Sequence, residues 1–356
     1  MSARAFLVLE GGQIFEGRWK GGKERAGEVV FNTSHSGYEE MATDPSYYNQ
    51  ILVTTAPMQG NYGISDDVWE SRKIWINGFV ALEIQSSARS SDWLSRLDEN
   101  NIPVVTELDT RRLVLHLRDH GTVWGALVKA NTSDEALSRA RQLISEGKAH
   151  DKDWAFAVSR TAIETFQGEN PAGPKVAVVD FGCKENILRE LKKRCREIRI
   201  YPVRSDASDI LQWQPHGVLL SNGPGDPQDV KVAVDTVRTL LGQRFVFGIC
   251  MGHQILSLAL GATTKPLQFG HRGSNHPIKD SLLKRVYMTS QNHGYVVCQE
   301  SLPADVDVTH VNLNDNTLAG IACWPKKCMS VQFHPESHPG PHDSEGLFDE
   351  FIKRIQ

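Results

Sequence analysis

The chain has 356 residues, 40% of them hydrophobic and 23% charged, with a formal net charge of −4. That length favours two domains over one, and the mildly acidic balance gives no pull toward nucleic acid or an anionic membrane. No apolar run approaches the ~20 residues that cross a bilayer. The opening MSARAFLVLEGGQIF holds one Arg and too short an apolar run for a secretory leader. Six cysteines without framework-like spacing suggest free thiols in a reducing, cytoplasmic compartment, and the one close pair, Cys323 and Cys328, has a poor zinc spacing.

In chain order, AFLVLE, QIFEGRWK and GEVVFNTS read as strands, with hairpin turns expected at Gly11-Gly12 and Gly21-Gly22. QILVTTAP (50–57) and GFVALEI (78–84) are further strand candidates. SDWLSRLDENN (91–101) and DTRRLVLHLRDHG (109–121) carry leucines at helical spacing, the second with Gly121 as a C-cap. These features predict a mixed α+β domain over 1–150. SDEALSRARQLISEG is an amphipathic helix. The apolar pattern then fades and Gly and Pro accumulate, so a linker is expected over 151–173.

From 174 to 356 the rhythm becomes βαβ. KVAVVDFG, EIRIYPV, GVLLSNGPGDP and RFVFGIC are short apolar strands, alternating with the helices ENILRELKKR, DASDILQWQ and VKVAVDTVRTLLGQ. Such strands imply a mostly parallel sheet flanked by helices, an α/β domain whose reactive groups sit at the strands' carboxyl ends.

Gly248-Ile249-Cys250-Met251-Gly252 lies at one of those ends. It has the G-x-nucleophile-x-G spacing of a strand-to-helix elbow, in which the flanking positions must lack a Cβ because the turn is cramped. The helix that follows, GHQILSLALGA, points its N-terminus at the sulfur and favours a thiolate. A plain core cysteine beside turn glycines is the alternative. A cysteine nucleophile needs a base and an orienter. SVQF reads as a strand ending near His334, and Glu336, two residues on in an extended segment, points the same way and can hold the ring. His338 and His342 compete for the role from a Gly/Pro-rich loop. SNGPGDP offers the Gly225 N–H, and the elbow the Met251 N–H, as oxyanion donors.

SNGPGDP, GICMGHQ, QNHGY and VQFHPE, in that order, resemble the triad class I glutamine amidotransferase domains over about 174–356. VVFNTSHSGYEEMATDPSYYNQILVTTAP, GNYGI, ELDTRRL, DFGCKENILREL, FGHRGSNHPIKD and HPGPHDSEGLFDEFI are similar to the small subunit of carbamoyl phosphate synthase, across nearly the whole chain. The resemblance implies the class I amidotransferase fold, and an N-terminal domain that contacts a large subunit. It implies hydrolysis of L-glutamine, with ammonia passed to that subunit, which builds carbamoyl phosphate from bicarbonate with ATP and a divalent metal; no cofactor is implied for this chain. Cys250 matches the nucleophile, His334 the base and Glu336 the orienting carboxylate. Glutamine contacts fall on Ser46, Gly223, Gly225, Met251, Gln254, Asn292, Gly294 and Tyr295. The expected partners are glutamine and the large subunit, with no nucleic acid and no membrane. Met251, Tyr295 and Arg272-Gly273-Ser274 depart from common family residues. The rival readings are another elbow cysteine hydrolase, such as a peptidase, and a non-catalytic scaffolding subunit.

Overall fold

The computed structural model describes residues 3–87, 92–149 and 152–356. The chain divides into two units, Met1–Asp151 and Lys152–Gln356.

Among the described residues, seven strands close the first unit into a barrel, in the order Arg4–Leu9, Ile14–Gly21, Val104–Thr106, Gly78–Val80, Gln50–Thr54, Arg25–Asn32 and Val123–Lys129. The first two form the hairpin expected at Gly11-Gly12. The hairpin expected at Gly21-Gly22 is absent: Ile14–Gly21 pairs instead with Val104–Thr106, and Arg25–Asn32 lies between Val123–Lys129 and Gln50–Thr54. The glycine there serves close approach, since a Cβ on Gly22 would stand 2.1 Å from the Ile102 carbonyl oxygen. The expected helices form at Trp93–Glu99, Thr110–His120 and Ser133–Lys148; Ser91, the first residue of the expected 91–101 helix, is outside the described residues. Asp109 caps the second by accepting from Arg112 N–H at 2.9 Å, and Thr132 caps the third. Helix Ser133–Lys148 lays Ala136, Ala140 and Ile144 against Phe6, Val8, Ala126 and Val128 of the barrel wall.

In the second unit the expected parallel strands form the centre of a ten-stranded sheet. Glu197–Pro202, Lys175–Asp180, Gly217–Leu220, Phe245–Ile249 and Cys328–Val331 run parallel in that order. Lys175–Asp180, Gly217–Leu220 and Phe245–Ile249 are apolar on both faces because both are covered, one by a cluster around Val179, Leu220 and Ile255, the other by a cluster around Val178, Phe247 and Phe351. Antiparallel strands extend both sides: Glu164–Gln167 at one edge, and Leu318–Cys323, Asp307–Asn312 and the long hairpin Thr264–Asp280/Arg285–Val297 at the other. Of the stretch expected to be a linker, 151–173, residues 152–173 are therefore built into this unit. Helix Trp154–Val158 and edge strand Glu164–Gln167 lie within it, while residue 151 itself is outside the described residues. The strand escapes sequence reading because it is four residues long and mostly exposed, with no buried face to show an alternation.

Candidate active site

Strand Phe245–Ile249 ends at Cys250, and helix Met251–Leu260 begins at the next residue. Cys250 has φ 54° and ψ −102°, a region that non-glycine residues enter only when their surroundings force it. The two flanking glycines show the force. A Cβ on Gly248 would stand 2.5 Å from the Gly252 carbonyl oxygen, and one on Gly252 would stand 2.2 Å from the Leu220 carbonyl oxygen. Gly252 N–H also donates to the Ser221 carbonyl at 2.9 Å, which ties the elbow to the head of the SNGPGDP loop.

A substitution separates this steric demand from helix propensity. Alanine normally stabilises a helix over glycine by about 1 kcal/mol. Gly252→Ala, whose methyl meets backbone that cannot yield, is expected to destabilise the unit by about 3 kcal/mol or more. The midpoint of urea unfolding reads the sign.

Helix Met251–Leu260 starts without a side-chain cap. Among the described residues, neither the Met251 nor the Gly225 N–H donates to a protein acceptor, so both are available to an anion. Gly225 has φ 92° and lies beside Trp154. Gly223 packs on the Phe181 carbonyl, against which a Cβ would stand at 2.2 Å.

Cys250 is buried, at 2% exposure, with Sγ 3.6 Å from the Asn292 carbonyl oxygen. The sulfur at this strand end is thus covered, the Asn292 backbone closing on it. Burial excludes water and strengthens every charge interaction nearby.

His334 follows strand Cys328–Val331 and is pinned by its N–H to the Ser290 carbonyl at 2.9 Å. Its Nδ1 lies 2.7 Å from Glu336 Oε1, while Nε2 is buried without a hydrogen bond of ordinary geometry. Burial opposes an imidazolium there, but Glu336 and Cys250 outweigh it and lift the ring's pKa to about 10. Glu336 is fully buried. Desolvation would raise its pKa, yet Lys184 and then His334 bring it down to about 2. Of the competing histidines, His342 engages Glu345 through Nδ1 on the exposed side of the loop, and His338 offers its carbonyl to Lys184.

Lys184 and Asn186 were not singled out from the sequence. Lys184 Nζ lies 3.2 Å from Glu336 Oε1 and donates to the Ser337 and His338 carbonyls, while Asn186 Nδ2 donates to the Glu336 carbonyl. They sit where strand Lys175–Asp180 hands over to helix Glu185–Arg194. The DFGCKEN motif contained the signal: a lysine at the carboxyl edge of a fully buried strand calls for a carboxylate partner.

The expected glutamine contacts lie close around the elbow in part. Gln254 Nε2 donates to the Tyr295 carbonyl at 2.9 Å and to Gln332 Oε1 at 3.1 Å, which leaves its own Oε1 for a ligand. Asn292, Gly294 and Tyr295 lie on strand Arg285–Val297, held by His293, whose ring nitrogens contact the Tyr295 carbonyl and Gln291 Oε1. Ser46 belongs to the first unit, in the short turn Pro45–Tyr47, where its N–H donates to Asp44. Among the described residues no group of three or more His, Cys, Asp or Glu could hold a metal ion, and no helix is long and apolar enough to cross a membrane.

A strained cysteine elbow facing an imidazole–carboxylate pair defines the second unit as a class I glutamine amidotransferase domain, and the model of that family matches residues 177–354. The model of the carbamoyl-phosphate synthase small chain, CPSase domain, matches residues 7–127. The chain is 44% identical to the carbamoyl phosphate synthase small chain of Symbiobacterium thermophilum, covering 98% of this chain and 97% of that one. It is 43% identical to that of Clostridium perfringens, over 98% and 99%. It is also 44% identical to the pyrimidine-specific small chain of Halalkalibacterium halodurans, over 98% and 96%. The chain belongs to the carbamoyl phosphate synthase small-chain family, and is its glutamine-hydrolysing subunit.

Proposed function

We propose that this chain hydrolyses glutamine through a thioester on Cys250 and delivers the ammonia to a carbamoyl phosphate synthase large subunit. The observation that carries this reading is the geometry of the elbow: Cys250 at φ 54° between strand and helix, beside the buried His334 whose Nδ1 is held 2.7 Å from Glu336 Oε1. Sγ attacks the carboxamide carbon of glutamine and a tetrahedral oxyanion forms, taken by the N–H groups of Gly225 and Met251. The carbon–nitrogen bond breaks as His334 gives its proton to the leaving nitrogen, which departs as ammonia. Water then attacks the thioester with His334 as base, releasing glutamate and the sulfur. Gln254 Oε1 accepts from the substrate's ammonium group, while Gly223 and the backbone of Asn292, Gly294 and Tyr295 hold the rest. In this reading the first unit contacts the large subunit, and ATP and a divalent metal act on that partner. The chain works in the cytoplasm.

The test is co-purification with the large subunit. Glutamine should drive carbamoyl phosphate formation by the complex, and glutamate release should rise when the partner is added. Cleavage of peptides with no response to the partner would favour a different cysteine hydrolase.

A further inference from the structure

At the opposite edge of the second unit's sheet from Cys250, the amino ends of strands Gly217–Leu220, Phe245–Ile249 and Cys328–Val331 open onto a cavity of about 890 Å³. Its wall carries His216, Arg244, Lys327, Lys353 and Arg354, with Glu350 as its one acidic side chain. Glu350 is already bonded to Arg354 at 2.7 Å. Among the described residues none of His216, Arg244, Lys327 and Lys353 makes an ion pair. On a chain of net charge −4 this is a local reversal of sign.

Lys353 and Arg354 occupy the last turn of helix Gly346–Ile355, where cations ordinarily offset the helix dipole. That explanation does not reach Arg244, Lys327 or His216, which arrive from three separate connections. Two of these are fixed in place. Arg244 donates through Nε to the Pro215 carbonyl at 2.7 Å and through Nη1 to the Gln243 carbonyl at 2.8 Å, so its remaining donors are pre-oriented. Lys327 has φ 54°, where glycine or asparagine would be favoured, and its carbonyl is tied to Val246 N–H at 2.9 Å. The His216 ring is held too, its Nδ1 accepting from Lys175 N–H at 3.1 Å, and burial first, then Arg196, Lys175 and Arg244, keep it below its ordinary pKa, so the charge of the wall is carried by the arginines and lysines.

We propose that this groove is a binding site for a small polyphosphate-bearing anion, remote from glutamine chemistry. A planar guanidinium held as a fork beside two lysines suits phosphate oxygens. The cavity is of small-molecule size, and its cations converge on one space instead of tracking along an extended chain.

The test is calorimetric titration of the full chain with tripolyphosphate at low ionic strength. One saturable site is expected, weakening as salt is added. Lys327→Gln and Lys353→Gln, both at exposed positions that leave the core untouched, should each lower affinity about tenfold. Lys326→Gln, on the same turn but outside the cavity wall, should leave it unchanged. Absence of saturable heat, equal affinity in all three variants, or tighter binding of a hexaglutamate peptide than of tripolyphosphate would each overturn the proposal.

Discussion

Cys250→Ser should abolish glutamine hydrolysis, lowering it by about 10⁴-fold or more, because in a site whose parts act as a unit the nucleophile cannot be lost singly without losing nearly all of the rate. The substitution is small. Serine fits the same buried volume, and the φ 54° elbow is set by Gly248 and Gly252, not by the sulfur. Folding and assembly should therefore survive, and a complex with the large subunit should still make carbamoyl phosphate when ammonia is supplied directly. Glutamate release from glutamine, measured beside ammonia-supported synthesis in the same preparation, separates loss of the nucleophile from loss of the fold. Retained glutamate release would remove Cys250 from the chemistry.

Glu336→Gln should lower activity by roughly 10³-fold and destabilise the second unit as well. The carboxylate holds His334 Nδ1 and is one of the two groups that raise the ring's pKa. Without it the buried imidazole loses its proton near neutral pH, and the leaving nitrogen loses its acid. The stability effect arises on the other side of the carboxylate. Lys184 is left buried beside a neutral amide, and breaking such a pair costs about 3–5 kcal/mol. The double variant Lys184→Met, Glu336→Gln should regain much of the stability and none of the activity, which distinguishes the two roles.

The pH dependence follows with definite signs. Glu336, depressed to about 2, contributes stability that is complete above the ordinary carboxyl range near 4.5 and is lost as pH falls through about 2. His334, raised to about 10, contributes stability that is complete below about 6.5 and is lost as pH rises through about 10. The two overlap between about pH 4.5 and 6.5. Melting temperatures across the range should fall on both sides of that window in the native chain, and fall less steeply in Glu336→Gln.

The elbow was legible because its G-x-C-x-G spacing is local: a Cβ on Gly248 would collide with Gly252, four residues on, whereas the demand on Gly252 comes from Leu220 of the neighbouring strand and shows only in the sheet. His334 and Glu336 were legible as a pair two residues apart, but the geometry that joins them was not: Pro335 and Glu336 lie in a turn closed by Ser337 N–H on the His334 carbonyl at 3.1 Å, where an extended segment was expected. Lys184 was not legible, because its partner comes from the far end of the domain and only the parallel sheet brings the two strand ends together. The closing of Asn292 on the sulfur was hidden likewise, since it depends on the register of the long hairpin Thr264–Asp280/Arg285–Val297, which carries irregularities at Pro266/His271 and Gly273/His276 that no periodicity predicts. The barrel neighbours of Ile14–Gly21 were hidden by the same kind of non-local pairing, where a glycine placed for close approach resembles one placed for a turn.

Exposing the native chain to a glutamine-shaped electrophile such as 6-diazo-5-oxo-L-norleucine, then locating the adduct by peptide mass, addresses the sulfur itself. One equivalent should attach at Cys250, protected by glutamine and slowed when His334 is changed to asparagine. Labelling at any other cysteine with Cys250 unmodified, or labelling at the same rate without the histidine, would contradict the pairing of that thiol with that ring.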